Sequence, residues 1–219
     1  MGEIIAVDFG HFSSSAHSFS ERRQGAMMTS IMTTSIRDIV SEATQTSHQR
    51  LDLALSWLDL GRPRNYAGFL RGQAEALFPI ETALQRGGIE AHIPDWQQRV
   101  RTAALEHDLA VMDVACDPLP VPEFKTTAEM LGALYVLEAS RMGARIILAR
   151  LAQDPDSSAL AATAYLRHGF GKRLWPTFLA VLENHPSARA DTAGVVEGAQ
   201  VAFGMFESAL IPIANVAAE

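Results

Sequence analysis

From about residue 34 onward, apolar and polar positions repeat with the period of an α-helix. In the first such stretch the apolar positions fall on one face, at Ile39, Ala43, Leu51 and Leu55. Ser35 followed by Asp38 resembles a helix start signal, and the run Gly61-Arg62-Pro63 is typical of a helix end. The pattern therefore predicts a first helix over about 34–60.

The same kind of signal predicts six further helices. Thr126 with Glu129 forms a capping box, and Gly87-Gly88 and the proline-rich run 117–122 separate neighbouring helices. The predicted helices cover about 65–86, 94–114, 126–152, 156–169, 173–185 and 190–214. Because the chain shows neither βαβ alternation nor an internal repeat, we expect an all-α fold, a compact single domain.

The first 32 residues differ from the rest of the chain. They are rich in serine and histidine and show no lasting period. We interpret residues 1–32 as a mobile N-terminal extension and residues 33–219 as the helical domain. The alternative for this segment is a short N-terminal strand over 3–9, which would have no partner strand elsewhere.

Charge and cysteine content narrow the classes of partner and compartment. The net charge of −7 disfavours binding to nucleic acid and to anionic lipid, and no apolar run approaches the length of a membrane span. Cys116 is the only cysteine, so no disulfide can form within the chain. With no signal-peptide pattern at the N-terminus, we expect a cytoplasmic protein.

His48 and Asp52 are the first candidates for chemistry. They are four residues apart on the first predicted helix, so they lie one turn apart on the same face. A histidine that binds a metal through one ring nitrogen needs the other nitrogen oriented, and a carboxylate one turn away provides this. The alternative is an ordinary ion pair on a helix surface, and the pair alone favours that alternative.

A stripe of small residues on the fourth predicted helix is the second candidate feature. Ala139 and Gly143 share one face, and Tyr135 extends it by a further turn. Small residues let another group approach the helix backbone closely. That group is either a neighbouring helix, which is the commoner case, or a flat ligand lying on the helix.

Taken together, the two segments resemble a known family. The first helix, with Glu42-Ala43-Thr44 ahead of His48 and then Asp52, is similar to the proximal helix of haem oxygenases. The segment Tyr135-Val136-Leu137-Glu138-Ala139-Ser140-Arg141-Met142-Gly143 resembles the distal helix of the bacterial enzymes, especially those that supply bilin to phytochromes. Weaker similarity in the other helices extends the resemblance over about 34–210.

The resemblance implies a haem sandwiched between these two helices. It implies that His48 binds the iron, with Asp52 as its orienting partner. It places Ser140 and Gly143 on the catalytic side, with Tyr135, Ala139 and Arg141 also contacting haem. The carboxylates of haem need cations at the pocket edge, for which the candidates are Arg141, Arg167, Lys172 and Arg173.

The implied reaction is oxidative opening of haem to biliverdin, with release of carbon monoxide and ferrous iron. Haem is both substrate and cofactor, and the electrons come from a ferredoxin or a flavin reductase. A bacteriophytochrome is the implied recipient of the bilin.

Two positions depart from the resembled pattern, because Ala139 and Ala144 stand where the family usually has glycine. The methyl group of Ala139 would point towards the oxygen site, and alanine also stiffens the helix. The alternative function is therefore a non-enzymatic haem or bilin carrier or sensor on the same fold. A third hypothesis is a helical scaffold that no longer binds haem.

Overall fold

The structure is a computed structural model, and it describes residues 34–153 and 158–217. These residues form helices, turns and loops, with no β-strand among them, which confirms the predicted all-α class. The predicted extension over 1–32 and the boundary that follows it lie outside the described residues. The α-helices are α1 (Ile36–Ser56), α2 (Pro63–Arg86), α3 (Thr102–Val111), α4 (Thr127–Leu151), α5 (Ala164–Arg167), α6 (Leu174–Asn184), α7 (Pro186–Ala190) and α8 (Thr192–Ala217).

The start of α1 is fixed by side chains that accept hydrogen bonds from its first backbone N–H groups. The Ser35 hydroxyl accepts from the N–H of Asp38 at 3.0 Å, as the sequence predicted. The carboxylate of Glu183, on α6, accepts from the N–H groups of Ile36 and Arg37 at 3.0 and 2.8 Å. A negative charge at a helix N-terminus is favourable, so Glu183 anchors α1 to α6.

The helix α8 forms the centre of the packing, with α1, α2 and α4 against it. At the contact between α4 and α8 the two backbones approach closely. A Cβ atom at Gly132 would collide with the carbonyl oxygen of Val195, and one at Gly198 with that of Glu129. Glycine at both positions is therefore needed for this crossing.

The apolar character of α8 extends beyond what the sequence analysis expected. By length and composition α8 is apolar enough to cross a membrane, with a mean hydropathy of 1.3 over the qualifying window. The expectation that no apolar segment reaches that length was wrong. Several of its residues are buried against the neighbouring helices, namely Val195, Ala199, Ala202, Phe203, Phe206 and Leu210. Packing accounts for part of the apolar composition of α8, since 39% of that window is buried.

The prediction of where the third helix begins was wrong. This helix begins at Thr102 rather than at Pro94, because Ile89, Ile93 and Trp96 turn inward through two short 3-10 segments and are buried. The carboxylate of Glu81 accepts from the N–H groups of Arg101 and Thr102 and so fixes the actual start. The predicted helix over 156–169 is also interrupted, and the short α7 was not predicted.

Candidate functional site

A cavity opens between α1 and the second half of α4, and it reaches α2, α5 and α8. It holds about 780 Å³ of space, part of it open to solvent, and most of its surface is apolar. Five of the seven predicted site residues line it. These are His48, Asp52, Ala139, Ser140 and Gly143. The cavity therefore brings together the histidine–acid pair and the small-residue stripe.

The floor of the cavity on α4 is unusually open. Every residue from Met130 to Glu138 is buried, but Ala139, Ser140, Gly143 and Ala144 are half-exposed. A Cβ atom at Gly143 would meet no atom within 4 Å. The stripe is therefore not filled by a neighbouring helix at this point, which favours the flat-ligand interpretation.

His48 lies opposite this floor and is oriented by Asp52. Its Nδ1 lies 3.1 Å from Oδ2 of Asp52, and both side chains are about one-third exposed, at 31% and 37%. The edge of Phe203 meets the imidazole ring with 6.1 Å between the centroids. Because Asp52 bonds Nδ1, Nε2 is the nitrogen through which this histidine would bind a metal.

Polar groups are gathered on one side of the cavity, where Gln73, Ser140 and Tyr165 line it and Arg101 lies directly behind them. The Tyr165 hydroxyl donates to Oε1 of Gln73 at 2.7 Å. The guanidinium of Arg101 donates to the Ser140 hydroxyl at 3.0 Å, to the Tyr165 oxygen at 3.4 Å and to the carbonyl oxygen of Leu137 at 2.9 Å. We call Gln73, Arg101, Ser140 and Tyr165 the polar wall.

The charge of the polar wall is unusual for a buried site. Arg101 is 2% exposed, forms no ion pair with a carboxylate of the described residues, and leaves its Nε without an acceptor. Burial raises the pKa of Tyr165, so its hydroxyl keeps its proton. The wall thus presents hydrogen-bond donors and a positive charge next to an apolar cavity.

The remaining two predicted site residues do not line the cavity. The ring of Tyr135 packs against Trp175 with 5.4 Å between the centroids. The guanidinium of Arg141 donates to Glu138 at 2.8 Å, to the backbone oxygen of Arg99 at 2.7 Å and to Nδ1 of His168 at 3.1 Å. Arg141 is therefore committed to a buried ionic network, with Glu138 between two arginines.

A second cavity also lies against the second half of α4, beside the loop before α6. Its lining includes four cations and no carboxylate, although the whole chain carries a net charge of −7. The cations are Arg141, Arg145, Lys172 and Arg173. Gly169 and Gly171, with φ values of 79° and 78°, form the turns that present the exposed Phe170 ring to Arg145. Arg167 does not line this cavity.

His168, on the rim of this second cavity, gives a prediction about acid stability. Burial, and then the positive charges of Arg141, Arg101 and Lys172, lower its pKa to about 4. Since the pKa of an unfolded histidine is about 6.5, the stability from the neutral ring is present above that pH and is lost as the pH falls towards 4. We expect His168→Gln to lose less stability between pH 7 and 4.5 than the unaltered chain, measured by urea unfolding.

The control for this experiment is internal. The pKa of His185 is also lowered, by burial and by His92, and it titrates in both proteins. The difference between the two unfolding curves therefore isolates His168. An equal loss of stability in both proteins would show that the folded chain does not hold His168 neutral.

Comparison with known proteins identifies the family. No protein-family model matches the chain. A haem oxygenase from Xanthomonas campestris is 31% identical over 145 residues, which span 66% of this chain and 88% of that protein. The chain belongs to the haem oxygenase family. Haem oxygenases are oxidoreductases, so the expected enzyme class and the recognised family are confirmed.

A solved structure supports the fold of this haem oxygenase. The NO- and CO-bound haem oxygenase from Neisseria meningitidis aligns with a TM-score of 0.59 over 83% of this chain and 92% of that chain. The identity between the two is 19%, so this likeness bears on the fold alone.

The sequence analysis did not single out the buried members of the polar wall. Gln73, Arg101 and Tyr165 come from three elements that are distant along the chain, and none forms a local motif with Ser140. The sequence offered no local signal for any of the three, because Arg101 falls in the middle of the helix predicted over 94–114. The wall became visible only once α2, α3, α4 and α5 were packed.

Proposed function

We propose that this haem oxygenase converts haem to biliverdin, carbon monoxide and ferrous iron, with dioxygen and electrons from a ferredoxin or a flavin reductase. The observation that supports this most directly is the cavity with His48 and Asp52 on one side and Ala139, Ser140 and Gly143 on the other. A bilin-accepting phytochrome and a cytoplasmic location are parts of the same proposal.

The residues present fit a haem. A ligand pocket is commonly mostly apolar with a few placed polar groups, and the lining of this cavity has those features. No atom lies within 4 Å of a Cβ built at Gly143, so the α4 backbone is open at this point to contact by a flat ring. A neutral histidine with an oriented ring is a suitable ligand for haem iron, so we assign this role to His48.

Each group of residues has a separate task in the proposed reaction. Haem, when bound, supplies the iron at which dioxygen is activated. Asp52 holds the proton on Nδ1 of His48 and fixes the plane of the imidazole ring. Ser140 donates to the carbonyl oxygen of Leu137 and accepts from Arg101, so its oxygen is held at the cavity surface. Tyr165 and Gln73 can hold water and pass protons without a strong acid.

The second cavity supports a site for the haem carboxylates. Met142 and Arg145 line it, while Gly143 and Ala144 line the first, so the two cavities flank the same turn of α4. Lys172 and Arg173 are exposed at its rim, where they can pair with carboxylates. Because Arg141 is already paired with Glu138, we assign the carboxylate contacts to Lys172 and Arg173 instead.

The experiment that tests the function follows the haem complex under air with a reductant. We expect the Soret band to fall and a biliverdin band to grow, with catalase present to exclude chemistry by free peroxide. Haem that binds but stays intact would support the alternative function, a haem or bilin carrier. The observation that favours this alternative is that both departing residues, Ala139 and Ala144, line the cavity.

We predict that Ala139→Gly speeds the conversion. The change removes a methyl group from the floor on which haem would lie. Glycine also destabilises a helix by about 0.5–1 kcal/mol relative to alanine, which makes the helix easier to bend. The measurement is the rate of biliverdin formation, with Ala149→Gly, an exposed position on the same helix, as the matched control. Equal rates in the unaltered chain and in Ala139→Gly would show that this methyl group does not limit turnover.

A further inference from the structure

We propose that Asp108 is the residue that positions the polar wall, although it does not line the cavity. This inference rests on the proposed function, since the polar wall has a task only if oxygen and protons are handled in the cavity. Asp108 would act through Tyr165, and Tyr165 would act through Gln73, Arg101 and Ser140.

Asp108 is fully buried on α3, and its carboxylate bonds only to the backbone of another element. One oxygen accepts from the N–H of Ala164 at 2.9 Å, and the other accepts from the N–H of Tyr165 at 2.8 Å. Burial raises the pKa of Asp108, and these two bonds oppose the rise. The carboxylate therefore sits where a buried charge is costly unless both bonds are made.

These two bonds determine where the Tyr165 side chain lies. The helix α5 has four residues, and no side chain of Thr163 caps it. Its first N–H groups depend on Asp108, because a helix of this length has no stability of its own. The Tyr66 hydroxyl holds the preceding turn through the carbonyl oxygen of Ala162. Asp108 and Tyr66 thus fix the backbone on which Tyr165 is carried.

The effect passes from Tyr165 to the cavity surface in two further contacts. The Tyr165 hydroxyl holds Gln73 at 2.7 Å and lies 3.4 Å from Arg101, whose guanidinium also lies over the Tyr165 ring. Arg101 in turn holds the Ser140 hydroxyl at 3.0 Å. A small shift of α5 would therefore change the donors that Ser140, Gln73 and Tyr165 present.

The variant Asp108→Asn keeps the size of the buried side chain but removes one of its two hydrogen-bond acceptors, so it tests positioning rather than packing. Its amide has one acceptor oxygen, so it satisfies one of the two N–H groups, and its NH₂ group faces the other. A second variant, Asp108→Glu, keeps both acceptors but displaces them by one methylene. Glu106→Gln is the matched control, because Glu106 is an exposed carboxylate on the same helix.

The test measures the pH midpoint of the acid–alkaline change in the ferric haem spectrum, together with the rate of biliverdin formation. We expect Asp108→Asn and Tyr165→Phe each to shift the midpoint by about 0.5–1 pH unit, the size of one hydrogen bond. In the double variant we expect the shift of Tyr165→Phe alone, because Asp108 acts through that hydroxyl. Glu106→Gln should not shift the midpoint.

Two outcomes would overturn this role for Asp108. The first is an unshifted midpoint in both Asp108 variants, and the second is a double variant in which the two shifts add. If Asp108→Asn does not fold, Asp108→Glu carries the same comparison. Failure of the proposed function looks different, since the unaltered chain would then bind haem and leave it intact. A chain that binds no haem overturns both proposals.

Discussion

Replacing His48 by alanine is expected to abolish the absorption spectrum of histidine-bound haem. The proposed iron ligand is then missing, and the opposite wall of the cavity offers no other histidine. The helix content should be unchanged by circular dichroism, because His48 is half-exposed and alanine favours the helix. Asp52→Asn should act less strongly and weaken haem binding by about 10- to 100-fold, as is usual for a residue that orients a metal ligand.

The matched control for His48→Ala is His107→Ala. His107 is an exposed histidine on α3, away from the cavity lining. Haem titration of the three proteins, followed at the Soret band, compares them directly. An unchanged band position and affinity in His48→Ala would remove this residue as the iron ligand and would leave the His48–Asp52 pair as an ordinary surface contact.

Placing leucine at Gly143 is expected to weaken haem binding while leaving the fold intact. The new side chain would extend into the space above α4 where the ring is proposed to lie, and it would meet no protein atom at its Cβ. Overfilling a packed contact costs about 1–3 kcal/mol, which corresponds to about 5- to 150-fold in affinity. The measurements are the haem dissociation constant and the melting temperature of the protein without haem.

The graded control for this variant is Gly143→Ala, which adds only a methyl group and should bind haem more weakly than the unaltered chain but better than Gly143→Leu. The melting temperature should not fall in either variant, since replacing glycine within a helix is favourable. Haem binding that is unaffected by leucine would place the ring elsewhere in the cavity.

The parts of the fold that the sequence predicted well are those with strong local signals. The Ser35 and Thr126 caps, the glycine stop after α2 and the helical period gave the bounds of α1, α2, α4 and α8 to within a few residues. The apolar face predicted for α1 was only partly right, since Ala43 is exposed. The start of α3 was missed because Pro94 is a plausible first helical residue by itself. Burial of Ile93 and Trp96 and the carboxylate of Glu81 decided otherwise, and these are tertiary effects.

The sequence predicted only part of the site, again because several of its contacts are tertiary. The spacing of His48 and Asp52 predicted their contact, but it could not distinguish a cavity wall from an exposed helix surface. The resemblance to the family supplied that distinction. The spacing of Glu138 and Arg141 on α4 permits their ion pair, but nothing local indicated that Arg99 also pairs with Glu138 or that Tyr165 reaches Gln73. Both of these contacts depend on how separate elements meet.

The glycine crossing of α4 and α8 divides α4 into two parts with unequal conformational freedom. The part before Ala139 is held by the close backbone contact at Gly132, so it cannot loosen unless the core opens. The turns over 139–147 are half-exposed or exposed and contain Gly143, which lowers the cost of local fraying before the helix is buried again at Leu148 and Leu151. A ligand that covers this second part must also order it, so its observed affinity is the contact energy reduced by the entropy of that ordering.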